Sequence, residues 1–516
     1  MKRSLSRVVS CAGLVLSVGL SASAQLRVQT HNISFFSGGQ SADIATAYYG
    51  TYTGAFGPQS MRPDLVMTLE FQSQAAVDSF LLSLNTAYKN ATGDTVDRWS
   101  AAPFTNGPDT DSAVFYRNDK MQYLSRTLVI AGGDVNGAPR DIYRYDLKLL
   151  GYTSSAAIVS CYPVHFKSGS GSTDQARRQI EATAIRNNIN AVRATDPLRA
   201  FVFGGDTNIQ NSNQAAYQTL VSGAVNSRVN DPINSPGTWN NNSAFRFIHT
   251  QDPIGAGGMD DRHDQILISS NLIDGAGFDY IGNASIPYST TSWYDPNHSY
   301  RAWGNDGTTF DAAMAIASNT FVGPAIAQAL VNLCSGAGHL PVILDLRVPA
   351  IAAVSTPTIN FGDKFVGDAA SGQFVVTNTG DTAKWSVAGI ANLNYSVSLA
   401  GAGFSTPLGG FVDAPNAGAP AGNTHVVSLN TATPGAYSGT VTITTDAPDQ
   451  PTLTVTLSGN VYCPSDVNRD FLSDLADFFQ FLNDFDQSLI GADVSGNGEV
   501  DLEDFFKFLN DFDSSC

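Results

Sequence analysis

The stretch FVFGGDTNI at residues 201–209 is an apolar run that ends in two glycines, Asp206 and, one residue further on, Asn208. In an extended backbone alternate side chains share a face, so Asp206 and Asn208 project together from the end of a buried strand. Gly, Asp and Asn also form turns, and read alone these nine residues equally fit a strand closing into a turn. The polar pair gains meaning only if other strands end in the same way.

Five further positions repeat the pattern. Asn32 follows the strand-like run LRVQTH, Glu70 ends DLVMTLE, and His165 ends IVSCYPVH. Asp264 precedes QILIS, and His339 precedes LPVILDL. Between these runs, Gln74–Asn85 and Thr173–Ala194 show apolar residues at helical spacing. Such a mixture predicts stacked sheets flanked by helices over residues 25–349. Carboxylates, imidazoles and amides gathered at one sheet edge suit metal-assisted attack by water on a phosphate ester. One carboxylate holds a divalent cation, another orients the water, and imidazoles neutralise or protonate the developing charge. His249, His263 and His298 fall in no such pattern and are read as surface or loop residues.

The flanks of this region bound its context. Lys2, Arg3 and Arg7 precede an apolar stretch that ends near Ala22-Ser23-Ala24, so residues 1–24 read as a secretory signal. No later segment offers about 18 unbroken apolar residues, so no transmembrane helix is expected in the mature chain, which should be exported: secreted, periplasmic or at the cell surface. Cys161, Cys334, Cys463 and Cys516 remain after the signal, and four cysteines permit three pairings. Cys463 and Cys516 bracket the last segment and are the preferred pair. Cys161 with Cys334 follows by elimination, with two buried free thiols as the equal alternative. The formal charge is −18. From Val461 onward, 13 acidic residues stand against Arg469 and Lys507, so the acidity belongs mostly to the tail. No basic run offers a phosphate-neutralising surface for tight nucleic-acid binding, although a brief catalytic encounter with a phosphodiester stays allowed.

Residues 354–461 change texture, to short alternating runs such as FVVTN and VTITT with turn residues between them and few charges. They read as an immunoglobulin-like all-β sandwich, entered through the Ala/Pro stretch 349–357. Residues 462–516 hold a repeat: SDVNRDFLSDLADFFQFLNDFD at 465–486 recurs as ADVSGNGEVDLEDFFKFLNDFD at 492–513. Each copy opens with oxygen donors at the spacing that lets one loop wrap Ca²⁺. They are Asp466, Asn468, Asp470, Leu472 (by its carbonyl), Asp474 and Asp477 in the first loop. In the second they are Asp493, Ser495, Asn497, Glu499 (by its carbonyl), Asp501 and Asp504. Gly498 supplies the sharp turn, and Phe471 stands in its place in the first loop, so weaker binding is expected there. The following helices should pack through Phe478, Phe479, Leu482 and Phe485 and their counterparts.

The tail resembles a dockerin, and more specifically the cysteine-terminated anchor of many exported planctomycete proteins. That resemblance implies a small α domain of paired calcium loop-helix units and a cohesin-like or cell-surface docking partner. Over residues 26–348 the chain resembles the endonuclease/exonuclease/phosphatase family of deoxyribonuclease-I-like phosphodiesterases, carried most specifically by GGDTN and the late HLPV. The resemblance implies a multidomain chain led by a four-layer α/β sandwich. Its substrate would be a nucleic acid, a nucleotide, a phospholipid headgroup or another phosphate ester. It also implies roles: Glu70 with Asn32 for Mg²⁺ or Mn²⁺, Asp206 to orient the water, and Asn208 to support the transition state. His165 and His339 would contact the phosphate, with Asp264 behind His339 and Asp111 behind His165, and Arg117 would face the phosphate. The family has an aspartate before its last histidine, where this chain has Gly338. That departure leaves a second reading, a weak or inactive copy of the fold kept as a binding or adhesion module.

Overall fold

In the computed structural model, residues 25–255, 257–334, 338–415, 422–514 and Cys516 are described, and the expected signal segment 1–24 lies outside them. The long strands of the first domain are β1 (Leu26–Phe36), β2 (Leu65–Phe71), β3 (Asp111–Arg117), β4 (Met121–Ile130), β5 (Ile142–Leu149), β6 (Ile158–His165), β7 (Ala200–Asp206), β8 (Asp264–Ser269) and β9 (Val342–Arg347). Together with short edge strands they form two sheets. One runs β9-β1-β2-β3 and the other β8-β7-β6-β5-β4. Strands β1 and β2 are parallel, as are β6 and β7, so four carboxyl ends point the same way.

Helices cover both outer faces. Ser73 caps α2 (Gln74–Thr92) by accepting from the Ala76 amide, and Gly93, at φ 76°, ends it. Phe80 of α2, Ile44 of α1 (Ser41–Tyr49) and Leu330 of α5 (Pro324–Leu333) share a core with Phe36, Val66 and Ile343 of the first sheet. Ile185 of α3 (Ser172–Thr195) and Leu220 of α4 (Ala215–Val221) cover Tyr162, Phe203 and Leu267 of the second. The order is therefore helix, sheet, sheet, helix.

The two glycines of the opening stretch have separate causes. A Cβ on Gly204 would fall 2.4 Å from Met67 Cε, in the space where the two sheets meet. A Cβ on Gly205 would fall 1.9 Å from the Val164 carbonyl oxygen of the adjacent strand, with φ at +152°. The first lets the sheets approach, and the second lets β7 lie against β6 where their polar ends begin.

Residues 352–462 form two mostly antiparallel sheets around Phe374, Val427, Ile443 and Leu457. This sandwich is tied to the first domain. Trp385 and Ile390 join the first domain's core, Lys120 lies 4.8 Å over the Trp385 ring, and the Asp449 carboxylate accepts from the Thr153 and Ser154 amides.

In the tail, α6 (Leu475–Asp486) and α7 (Leu502–Asp513) pack through Phe481, Phe508 and Ala492 of the intervening turn, the first two stacked at 4.1 Å. Phe479 was expected in that face and is exposed, as is its repeat mate Phe506. Phe481, two positions on, takes the central place, because the helices meet on the i, i+3, i+4 stripe of residues 478, 481, 482 and 485. A disulfide joins Cys463 to Cys516, while Cys161 and Cys334 are free and buried.

Candidate active site

At the carboxyl end of β1 the register with β2 breaks between Asn32 and Phe36, and Ser34 and Phe35 adopt φ of 42° and 49°. Glu70, at φ 64°, and Asn208, at φ 51°, share that left-handed conformation. Each such residue costs on the order of 1–3 kcal/mol and persists only where its surroundings over-determine it. Here the reason is visible. The turned backbone at Phe35 donates its amide to Glu70 Oε2 at 3.1 Å, and the Asn208 amide donates to Asp206 Oδ1 at 3.0 Å.

The side chains converge on this mouth. Asn32 Nδ2 donates to Glu70 Oε1 at 3.0 Å and to Asp206 Oδ2 at 3.3 Å, bridging the two sheets, while its Oδ1 accepts from the Ser34 amide. His165 places Nε2 3.4 Å from Asp206 Oδ2 and Nδ1 3.7 Å from Glu70 Oε1. His339 Nδ1 donates to Asp264 Oδ2 at 2.7 Å and stands 3.7 Å from Asp206 Oδ2, and its amide donates to the Asn32 carbonyl. The Thr250 hydroxyl donates to the same Asp264 oxygen, also at 2.7 Å. Asn208 Nδ2 donates to the Phe166 carbonyl, just beyond His165. All seven predicted residues of this set therefore lie in one buried network.

Their electrostatics diverge. Burial lowers the pKa of His165 to about 3 despite the pull of Asp206, so its imidazole is neutral. Burial also opposes charge on His339, but Asp264 and Asp206 outweigh it and raise the pKa to about 10. Burial raises Asp206, and His339 and His165 more than reverse it, to about 2. Burial raises Glu70, a bond from Asn32 lowers it, and the negative Asp206 raises it further. The result is an ionised Asp206 beside a cationic His339, with a crowded carboxylate at Glu70.

The residues present fit a divalent cation. Glu70 is a carboxylate held up by burial and by a like-charged neighbour, and His165 Nδ1 is a buried nitrogen with no hydrogen-bond partner 3.7 Å from it. Asn32 keeps a second lone pair on Oδ1. At Gly338 there is no place for the carboxylate that the family pattern carries. A Cβ there would lie 2.6 Å from Cys334 Cα and 3.2 Å from Ser34 Cβ.

Three expectations are corrected. Arg117 does not face the mouth. Strand β3 runs antiparallel to β2, so its last residue lies beside the start of β2, where Arg117 bonds Asp119 and the Tyr88 hydroxyl. Asp111 does not stand behind His165; it accepts from the Gly107 amide. His249, His263 and His298 are not surface residues but buried. His263 belongs to the mouth: its ring lies 6.2 Å from that of His339, and its charged form would add to the field on Asp206. Arg140, on the loop before β5, pairs with Asp109 and the Thr110 hydroxyl and adds a positive field at His165. Neither residue carried a readable sequence signal, since each lies on a loop. Arg178, fully buried on α3, donates to the carbonyls of Lys167 and Gly169 and to Gln210 and Gln214, so one guanidinium ties together the segments that follow β6 and β7.

His249 offers a test of buried imidazoles apart from these residues. Burial lowers its pKa to about 4, between the carbonyls of Met259 and Trp239. A folded value below the unfolded ~6.5 means that the unfolded chain binds more protons between them. Stability is thus fully present above pH ~6.5 and is lost as pH falls toward 4, by about 3 kcal/mol. Denaturant unfolding of the first domain should show that loss, and His249→Gln should make the curve shallower while leaving the part due to the similarly depressed His31 and His165. A wild-type stability that stays level from neutral pH to pH ~4 would contradict it.

No family model matches the sequence, and no curated protein matches it. Among solved structures, the catalytic domain of human Nocturnin with bound sulfate is similar at 13% identity and TM-score 0.34, over 63% of this chain and 94% of that one. Truncated Caenorhabditis elegans TDP2 is similar at 12% identity and TM-score 0.35, over 62% and 97%. An endonuclease/exonuclease/phosphatase family protein from Bacteroides thetaiotaomicron is similar at 15% identity and TM-score 0.33, over 62% and 97%. Likenesses this distant carry no functional argument. Among the described residues no helix is long and apolar enough to cross a membrane.

Proposed function

We propose that the chain is an exported, divalent-metal-dependent phosphoric ester hydrolase of the endonuclease/exonuclease/phosphatase kind, held at a surface by its tail. The observation that supports it most is the pairing of an ionised Asp206 with a neutral His165 and a cationic His339, inside one network that Asn32 and Glu70 complete.

Glu70, with Asn32 and the nearby His165 Nδ1, would hold Mg²⁺ or Mn²⁺, which when bound supplies Lewis-acid polarisation of the phosphate. The remaining work falls to the chain. Asp206 accepts a proton from the water that it orients, and the Asn208 amide anchored on Phe166 keeps that carboxylate end fixed. His339 is oriented through Nδ1 by Asp264, which leaves Nε2 to face a phosphate oxygen and stabilise charge as it develops. The substrate class extends to nucleic acids, nucleotides and phospholipid headgroups.

The second reading, a binding module on a weakened catalytic fold, is favoured by Gly338, where a side chain would meet the Cys334 backbone at 2.6 Å. In the tail, Asp466, Asp470 and Asp477 bring carboxylate oxygens within 4.8 Å of one another, which supports a calcium loop and a docking role for residues 462–516.

The deciding experiment is hydrolysis of bis(p-nitrophenyl) phosphate and of plasmid DNA with Mg²⁺ or Mn²⁺ by wild type and Asp206→Ala. Loss of ~10²-fold or more in the variant is the expected result. Equal rates would remove the catalytic assignment and leave the binding module.

A further inference from the structure

A cavity of about 610 Å³ opens on the opposite face of the first sheet, at the end where β1 begins and β9 finishes. Arg27 lines it, and five residues separate Arg27 from Asn32, roughly 16 Å along the strand, with the two on opposite faces. Ala388, on the turn Val387–Gly389 of the second domain, closes one side. The space thus lies at the junction of two domains, and its volume falls within the range of small-molecule sites.

Its wall is charged unevenly. Four arginines, Arg27, Arg62, Arg301 and Arg347, stand against Asp295 and Asp345. Two of the arginines are already engaged. Arg27 forms a two-pronged pair with Asp345, and Arg301 donates to the carbonyls of Asp295, His298 and Tyr300. The side chains of Arg62 and Arg347 make no hydrogen bond or ion pair among the described residues, although both are half-buried. The Nε of Arg62 is fully enclosed without a partner, and so is the indole nitrogen of Trp303 in the same wall. The Ser60 hydroxyl in the same wall is likewise enclosed without a partner. Buried donors without acceptors are uncommon in native proteins and need an explanation. Asp295 and Asp345 in the same wall are engaged elsewhere, and Asp279, the cross-strand neighbour of Arg347, interacts with it electrostatically without a hydrogen bond.

The geometry points to a binding site for a small organic oxyanion, a phosphorylated or carboxylated compound, held by Arg62 and Arg347 at the junction of the first and second domains. Planar guanidiniums match carboxylate and phosphate oxygens in pairs, and Trp303 lines the wall beside them. The half-buried Tyr294 ring in the same wall is stacked on Phe56 at 4.8 Å and has the Arg301 guanidinium 4.9 Å over it, so its exposed edge is what a bound compound would meet.

The test uses the full chain without added Mg²⁺ or Mn²⁺, so that binding is read apart from turnover. AMP and citrate, as phosphate and carboxylate probes, are titrated by calorimetry and by tryptophan fluorescence, with adenosine as the uncharged comparator. Saturable binding of at least one anion, and none of adenosine, is expected. The double variant Arg62→Ala/Arg347→Ala should weaken it at least tenfold, and Trp303→Phe should remove the fluorescence change. Asp206→Ala should leave it intact. Because the Arg62 side chain makes no hydrogen bond or ion pair, Arg62→Gln alone should fold with an unchanged thermal midpoint and show part of the same loss, whereas Arg347→Gln also takes a positive charge away from Asp279. Failure of both anions to bind would overturn the inference. So would binding that survives the arginine changes and vanishes in Asp206→Ala, since it would then belong to the catalytic mouth.

Discussion

Asp264→Asn is expected to lower kcat by ~10²–10³-fold and to move the alkaline limb of the rate profile to lower pH. Asp264 is fully buried and its backbone pairs with that of Asp206, but among the described residues its carboxylate bonds only His339 Nδ1 and the Thr250 hydroxyl, so the effect of changing that carboxylate passes chiefly through the imidazole. Its negative charge, with that of Asp206, holds His339 protonated to about pH 10 against the pull of burial. Removing it leaves burial less opposed, so His339 gives up its proton at lower pH, and the donor that stabilises developing charge is lost across a range where the wild type keeps it. The amide that replaces the carboxylate also presents a donor to a ring nitrogen that needs an acceptor, which favours the wrong tautomer. His339→Gln should cost as much at neutral pH while lacking the shifted limb, because no titrating ring remains. Steady-state rates on bis(p-nitrophenyl) phosphate from pH 6 to ~10 check both. An Asp264→Asn enzyme with wild-type kcat and an unmoved limb would show that His339 needs no partner and plays no charged role.

The strand-end residues were legible because their positions follow from the alternation of the strands alone. Once LRVQTH, DLVMTLE, IVSCYPVH and AFVFGGD are strands, Asn32, Glu70, His165 and Asp206 stand at ends that parallel pairing brings to one side. Direction within the sheet was not legible. Arg117 also ends a strand, but β3 returns antiparallel and carries it to the far edge. His263 and Arg140 were missed for a different reason: loops bring them in, and the path of a loop depends on tertiary packing that no local period encodes. In the tail the repeat fixed the ligand register but not the helix phase. FFQFLNDF offers five aromatic or aliphatic positions that suit either of two stripes, and only packing against the twin selects Phe481 over Phe479. The empty arginine pocket shows the same limit from another side, since its residues come from positions 27, 62, 301, 303 and 347, with no common motif.

Chelation of calcium from the full chain is expected to collapse the tail. Its enclosed core is Phe481, Ala492 and Phe508 with a rim of half-buried phenylalanines, far below what a module of this length needs to hold itself together. The loops add a cost. The carboxylate of Asp466 receives the amides of Asp470 and Phe471, and that of Asp477 receives those of Asn468 and Asp474; these donors offset only part of the repulsion among three gathered carboxylates, and the proposed cation would offset the rest. Binding energy is therefore folding energy, and EGTA should expose residues 464–514 to protease, reduce the helical circular dichroism signal, and leave the first two domains intact. Asp477→Ala and Asp504→Ala should each reproduce part of the change. The two loops should differ. Phe471 holds φ 75° where Gly498 holds 89°, and a side chain in that conformation costs about 1 kcal/mol, close to a fivefold weaker first loop. Phe471 also stacks on Tyr462 at 4.9 Å, and Arg469 beside it pairs with Asp363, so the same residue seats the tail on the second domain. Phe471→Gly should then tighten calcium at the first loop and loosen that seat, seen as faster cleavage near Cys463 with calcium present. A tail that keeps its helical signal and its protease resistance in EGTA would mean that the acidic loops fold without a cation, and the docking proposal would lose its physical basis.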